Sequence, residues 1–138
     1  VWVEDLTDGT SIHCTQNIEE NQPMVSASLI KLFIMGAVYD KIETGVVKES
    51  DVSEKLEQMI TVSDNAAANR LPLLLPENVT VAHKTGNLSG ICIADVGIVE
   101  LKDSPYLICV ICNDPYTDAG ATSEIAELSQ SVYRAFAG

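Results

Sequence analysis

Ten residues of this chain fall into three short motifs in order: Ser28-Leu29-Ile30-Lys31, Ser63-Asp64-Asn65 and Lys84-Thr85-Gly86. A serine hydroxyl is a poor nucleophile until a neighbour takes its proton. On a helix, Lys31 lies three residues beyond Ser28 on the same face, within reach of its oxygen. A largely buried lysine is pushed toward its neutral form by desolvation and can act as that base. Lys31 is also the one charge between Glu20 and Asp40. The alternative is a helix-capping serine and a lysine that snorkels to water. Lys84-Thr85-Gly86 reads as the end of a strand, offering a cation, a hydroxyl donor and an open backbone edge. Gly86 there permits close approach of a substrate, which could add to the edge as an extended segment. The N–H of Asn87 could then pair with that of Ser28 as an oxyanion hole. Taken alone, Ser63-Asp64-Asn65 reads as helix caps and turn formers. Either tripeptide arises by chance in only about one chain of this size in a hundred, so the ordered set points to acyl transfer through a serine ester.

The elements that must position these groups follow from patterning. Val1 to Leu6 and Ser11 to Thr15 alternate around Asp8-Gly9, which predicts a β-hairpin. A helix is predicted over Ser28 to Ile42, with so little polar face that it should be central and buried. Ser28 at its start would meet backbone N–H groups that favour developing negative charge. Ser53 or a neighbour caps a short helix through Ile60, and another helical stretch runs from Asn65 to Leu71 until Pro72 and Pro76 interrupt it. Val79–Lys84, Ile91–Leu101 and Tyr106–Cys112 read as three successive strands. Thr122 to Phe136 carries Ile125, Leu128, Val132 and Phe136 as the stripe of an amphipathic helix. The sum is an α+β class, a five-stranded antiparallel sheet flanked by helices in a single domain over 1–138.

Composition narrows the partners. The chain has 138 residues and a formal net charge of −12, which opposes binding to nucleic acid or anionic membrane. No apolar run is long enough to span a bilayer, and Val1-Trp2-Val3-Glu4-Asp5 has no feature of a targeting segment. Cys109-Val110-Ile111-Cys112 matches C-x-x-C but lies in a continuous apolar strand, where residues three apart point to opposite faces. We read both, with Cys14 and Cys92, as small hydrophobes rather than a redox or disulfide framework. His13 and His83 stand apart, so no metal and no cofactor are expected. Two sequons, at Asn78 and Asn87, are the weaker reading, because a glycan on Asn87 would crowd the proposed site.

The three motifs together resemble those of serine β-lactamases and penicillin-binding proteins, most closely the class A-like enzymes. Met59 to Asn69, Val81 to Gly86 and Asp95-Val96-Gly97-Ile98-Val99 extend the resemblance, which covers nearly the whole chain in family order. It implies that Ser28 is acylated, that Lys31 is its base or proton relay, and that Ser63 passes a proton to the leaving nitrogen. Asn65 would hold the substrate's amide side chain, Lys84 and Thr85 its carboxylate, and the N–H groups of Ser28 and Asn87 the oxyanion. The implied substrate is a β-lactam or a cell-wall peptide, and the implied location is extracellular, periplasmic or at the cell surface. Alternatives of the same fold are a D-alanyl-D-alanine peptidase, an esterase or a non-catalytic scaffold.

The resemblance breaks between the second and third motifs, where only eighteen residues separate Asn65 from Lys84. Family members carry a helical subdomain and an omega-shaped loop there, with a deacylating glutamate. Residues 50–76 read as a remnant of that subdomain, and Glu77 aligns with the lead-in to the third motif instead. A deletion, a chain recorded without the intervening segment and a divergent minimal hydrolase would each leave this join. Acylation is expected to survive and ester hydrolysis to be slow. Leu73-Leu74-Leu75 would lose its cover and favour self-association.

Overall fold

The computed structural model describes residues 1–61 and 71–138. Its frame is a five-stranded sheet, fully antiparallel, in which the second strand of the chain lies at one edge, followed by the first, fifth, fourth and third. Strands β1 (Trp2–Asp5) and β2 (Ser11–His13) form the expected hairpin, and Gly9 takes the φ of +77° that its turn requires. A 3-10 turn over Ala27–Leu29 leads into α1 (Ile30–Glu43), and α2 (Ser53–Thr61) follows. Then come β3 (Thr80–Leu88), β4 (Cys92–Glu100), β5 (Tyr106–Asn113) and α3 (Asp118–Ala137). The helical stretch expected from Asn65 lies almost wholly outside the described residues. Among these residues no helix is long and apolar enough to cross a membrane.

Period-two patterning divides the core between the two faces of the sheet. Ile93, Val99, Tyr106, Ile108 and Val110 meet Ile125 of α3 on one face, with Leu128, Val132 and Phe136 packed alongside. The stripe read from the sequence is therefore the buried one. Leu71 joins this cluster with no exposed surface. On the other face, Cys92 and Ala94 pack on Leu29, bordered by Val96, Cys109 and Ile111. Cys109 and Cys112 diverge to opposite faces as expected, although each is only partly buried. Burial is the main cause that raises both thiols above the ordinary range, which keeps them protonated.

Helix α3 is fixed at its start. Thr117 caps it by accepting from the N–H of Gly120 at 3.0 Å, and Asp118 accepts from Ser89 Oγ at 2.6 Å and Gly90 N at 2.9 Å. The β3–β4 turn is thereby tied to the helix that covers the sheet.

Two expectations are corrected. Helix α1 is not buried: none of its residues is, and Phe33 is 74% exposed. The 3-10 turn before α1 is seated on the sheet, on β3 and β4, while α1 itself packs on α2. An all-apolar helix normally has cover on every side. The third motif does not end a strand either. β3 continues through Lys84-Thr85-Gly86 to Leu88, because every residue from Thr80 to Leu88 finds a partner in β4.

Candidate active site

Because β3 is one of the two outer strands of the sheet, the motif Lys84-Thr85-Gly86 sits at a sheet edge. Gly86 pairs with Ala94, and its open face is filled by the turn that carries Ser28. A Cβ on Gly86 would stand 2.8 Å from the Ser26 carbonyl oxygen, 3.3 Å from Leu29 Cγ and 3.4 Å from Ala27 Cβ. The glycine thus makes room for the chain's own backbone on this face, where the sequence suggested room for a substrate. Its consequence is the one the chemistry needs, since the first and third motifs are brought together.

The turn is held in an unusual conformation. Ala27, just before Ser28, has φ +47°, in the left-handed region that costs a residue with a Cβ about 1–2 kcal/mol. Neighbouring contacts compensate: Leu29 is buried and its N–H donates to Ser26 O at 3.0 Å. The thiol of Cys92 donates to the carbonyl of Val25 at 3.0 Å, pinning the approach to β4. Ser28 is half-buried in the middle of this turn, and Lys31 is half-buried in the first turn of α1. Lys31 is therefore less desolvated than the sequence suggested.

Lys84 is 4% exposed and Thr85 5%. Lys84 shares the Ser28 side of the sheet with Gly86, and its Nζ donates to the Thr85 carbonyl at 2.9 Å. Thr85 faces the other way, opposite Asp95 of β4. Both nevertheless reach one cavity of about 230 Å³, lined by Ile60, Thr61, His83, Lys84 and Thr85, because an edge strand can be approached from either face. Asn87, the expected oxyanion partner, follows on the same strand and is exposed. Ser63 and Asn65 lie outside the described residues.

One buried polar group was not singled out from the residues alone. Asp95 has no exposed surface, and its carboxylate lies 3.0 and 3.1 Å from Nδ1 of His83. It also accepts from the N–H of Leu71 at 3.2 Å. Ser129 of α3 donates to the carbonyl of the same Leu71 at 2.8 Å, so both peptide groups of that residue are held by side chains. A signal existed, because Asp95 is the one charge between Lys84 and Glu100, just as Lys31 stands alone in its own apolar run.

The chain is similar to several solved structures. One is a PBP-A mutant described as an acyl-enzyme complex with penicillin G, 30% identical, with a TM-score of 0.47 over 56% of this chain and 29% of that one. PBP-A itself is 28% identical, with a TM-score of 0.45 over 70% of this chain and 36% of that one. An ancestral class A beta-lactamase is 25% identical, with a TM-score of 0.46 over 59% and 33%. The chain thus spans about a third of the length of these structures. No curated protein matches it. The model of the beta-lactamase enzyme family matches residues 1–52 and 68–136, which takes in the first and third motifs and most of the chain. With that match spanning both cores of the sheet and the turn that joins the motifs, the chain belongs to the beta-lactamase enzyme family.

Proposed function

We propose that this protein is a serine hydrolase of β-lactamase type that forms an acyl-serine at Ser28 with β-lactam antibiotics. The observation that carries the reading is the seating of the Ser28 turn on Gly86, beside the buried cation of Lys84. In this reading Lys31 takes the proton of the Ser28 hydroxyl, and Ser63 relays one to the leaving nitrogen. Asn65 holds the amide side chain of the substrate. Lys84 and Thr85 receive its carboxylate in their shared cavity, and the N–H groups of Ser28 and Asn87 stabilise the oxyanion. Residues 50–76 are read as the remnant of the helical subdomain, and the stretch 53–67 that the family model leaves unmatched falls within it. The chain acts outside the cytoplasm, where cell-wall peptides and β-lactams are met.

Deacylation is the slow step in this reading, because the join after the second motif offers no glutamate placed to activate water. Incubation with benzylpenicillin followed by intact mass spectrometry tests both halves. A long-lived adduct of one penicillin on Ser28, absent from Ser28→Ala, is expected. No adduct would refute the acyl-serine reading, and rapid multiple turnover would refute slow deacylation. Release of D-alanine from a cell-wall peptide would instead mark a peptidase.

A further inference from the structure

The turn that carries Ser28 rests on Gly86, and the chain entering it is held at a second place on the same face of the sheet. Asn113 ends β5 directly opposite Cys92 of β4, and Cys92 stands two residues from Ala94, the partner of Gly86. Opposite residues of an antiparallel pair share a face, so both side chains meet the same segment. In the orientation that satisfies both groups, the Asn113 amide nitrogen donates to the Val25 carbonyl at 3.0 Å, and its oxygen accepts from the Val25 N–H at 2.7 Å. The Cys92 thiol donates to that same carbonyl at 3.0 Å. Two donors on the carbonyl and one acceptor on the N–H leave the backbone of Val25 little freedom.

The effect reaches the nucleophile through two peptide planes. The Val25 carbonyl fixes the plane that enters Ser26. The Ser26 carbonyl, packed on Gly86 and accepting from the Leu29 N–H, fixes the plane that leaves it. Ala27 follows at φ +47°, a conformation unfavourable for a residue with a Cβ. A chain released at Val25 could relieve that conformation by rotating both planes, and Ser28 would turn with them.

We propose that Asn113 is a positioning residue for acylation. With the Cys92 thiol it clamps Val25, and so keeps the hydroxyl and the N–H of Ser28 in their reactive arrangement. The inference rests on the reading that Ser28 is the acylated nucleophile. In that reading Lys84 and Thr85 receive the substrate carboxylate, so the clamp acts on the rate of acyl transfer and not on the first binding of the β-lactam.

Asn113→Leu removes both hydrogen bonds at similar side-chain size. Adduct formation with benzylpenicillin, followed over time by intact mass at several concentrations, separates the acylation rate constant from the initial dissociation constant. A rate constant about ten- to hundredfold lower is expected, with the dissociation constant within about twofold and the final labelled fraction equal to that of the unaltered chain. A role confined to stability would lower the melting temperature or the labelled fraction and leave the rate constant alone. Amide hydrogen exchange reads the turn without the reaction. The Leu29 N–H, bonded to Ser26 O, should exchange about tenfold faster in Asn113→Leu while the amides of β4 are unchanged. If that variant does not fold, Asn113→Asp, which keeps the acceptor and loses the donor at neutral pH, takes its place with the same expectations. An unchanged rate constant, unchanged Leu29 exchange or a loss confined to the labelled fraction overturns the inference. Absence of any adduct on the unaltered chain refutes the acyl-serine reading instead, and Leu29 exchange then decides alone whether Asn113 holds the turn.

Discussion

Gly86 decides the geometry around the nucleophile. Its missing side chain lets the Ser26 carbonyl come within a distance no Cβ tolerates, and a backbone atom cannot swing aside as a flexible side chain would. Gly86→Ala is therefore expected to cost about 1–3 kcal/mol of stability by overpacking. It should also slow acylation of Ser28, because the turn must lift from β3; thermal melts and adduct formation rates check the two effects. Tyr106 is the opposite case, a residue with one atom too many. Its hydroxyl is buried without a hydrogen-bond partner among the described residues, while its ring stacks on Phe136 at 4.5 Å. Tyr106→Phe keeps the packing and removes the stranded group, and should stabilise by about 1 kcal/mol in denaturant unfolding. Burial, with a smaller contribution from Tyr133, raises this phenol from 10.0 to about 12. Stability is therefore unaffected by this ionisation below pH 10 and falls as pH rises toward about 12, since the unfolded chain ionises first. Tyr106→Phe should flatten that alkaline decline in stability.

At the scale of elements, period and turn chemistry were enough to read most of the sheet. The β1–β2 hairpin, β4, β5 and the stripe of α3 follow from alternation, Asp8-Gly9 and the spacing of Ile125, Leu128, Val132 and Phe136. What patterning could not supply was pairing. Lys84-Thr85-Gly86 looks like a strand end because lysine before glycine usually is one, yet the partner strand extends it to Leu88. Nor could it say what a helix packs against. The sequence of α1 demands cover, and the fold leaves most of that demand unmet. The Asp95 pairing with His83 was hidden for a similar reason, since the two become neighbours only once β3 and β4 pair. The cap of α3 is a local feature and should behave locally. Thr117→Ala is expected to lower stability by about 1 kcal/mol in chemical denaturation, without changing the burial of the stripe.

Across the whole molecule, two tendencies oppose each other. A net charge of −12 keeps copies apart, while Ile30, Phe33, Ile34, Leu73 and Leu74 present apolar surface to water. Screening removes the first tendency and leaves the second. Self-association that strengthens with salt is therefore expected in sedimentation velocity, and Phe33→Glu should weaken it. The melting temperature of that variant should hardly change, because a side chain that is 74% exposed contributes little to the core.

The strand order has a further consequence, for the time at which the molecule comes into being. β1 is an interior strand, and Trp2 waits for Cys109 as its neighbour on one side. During synthesis β1 therefore stays half-paired until β5, the last strand of this sheet, has been made. Before β5 is made, β3 with the third motif can pair with β4 but lacks the finished sheet, and the apolar face that α3 covers is bare. The sheet that carries the third motif is complete only when β5 fills the gap between β1 and β4 and α3 covers the face they share.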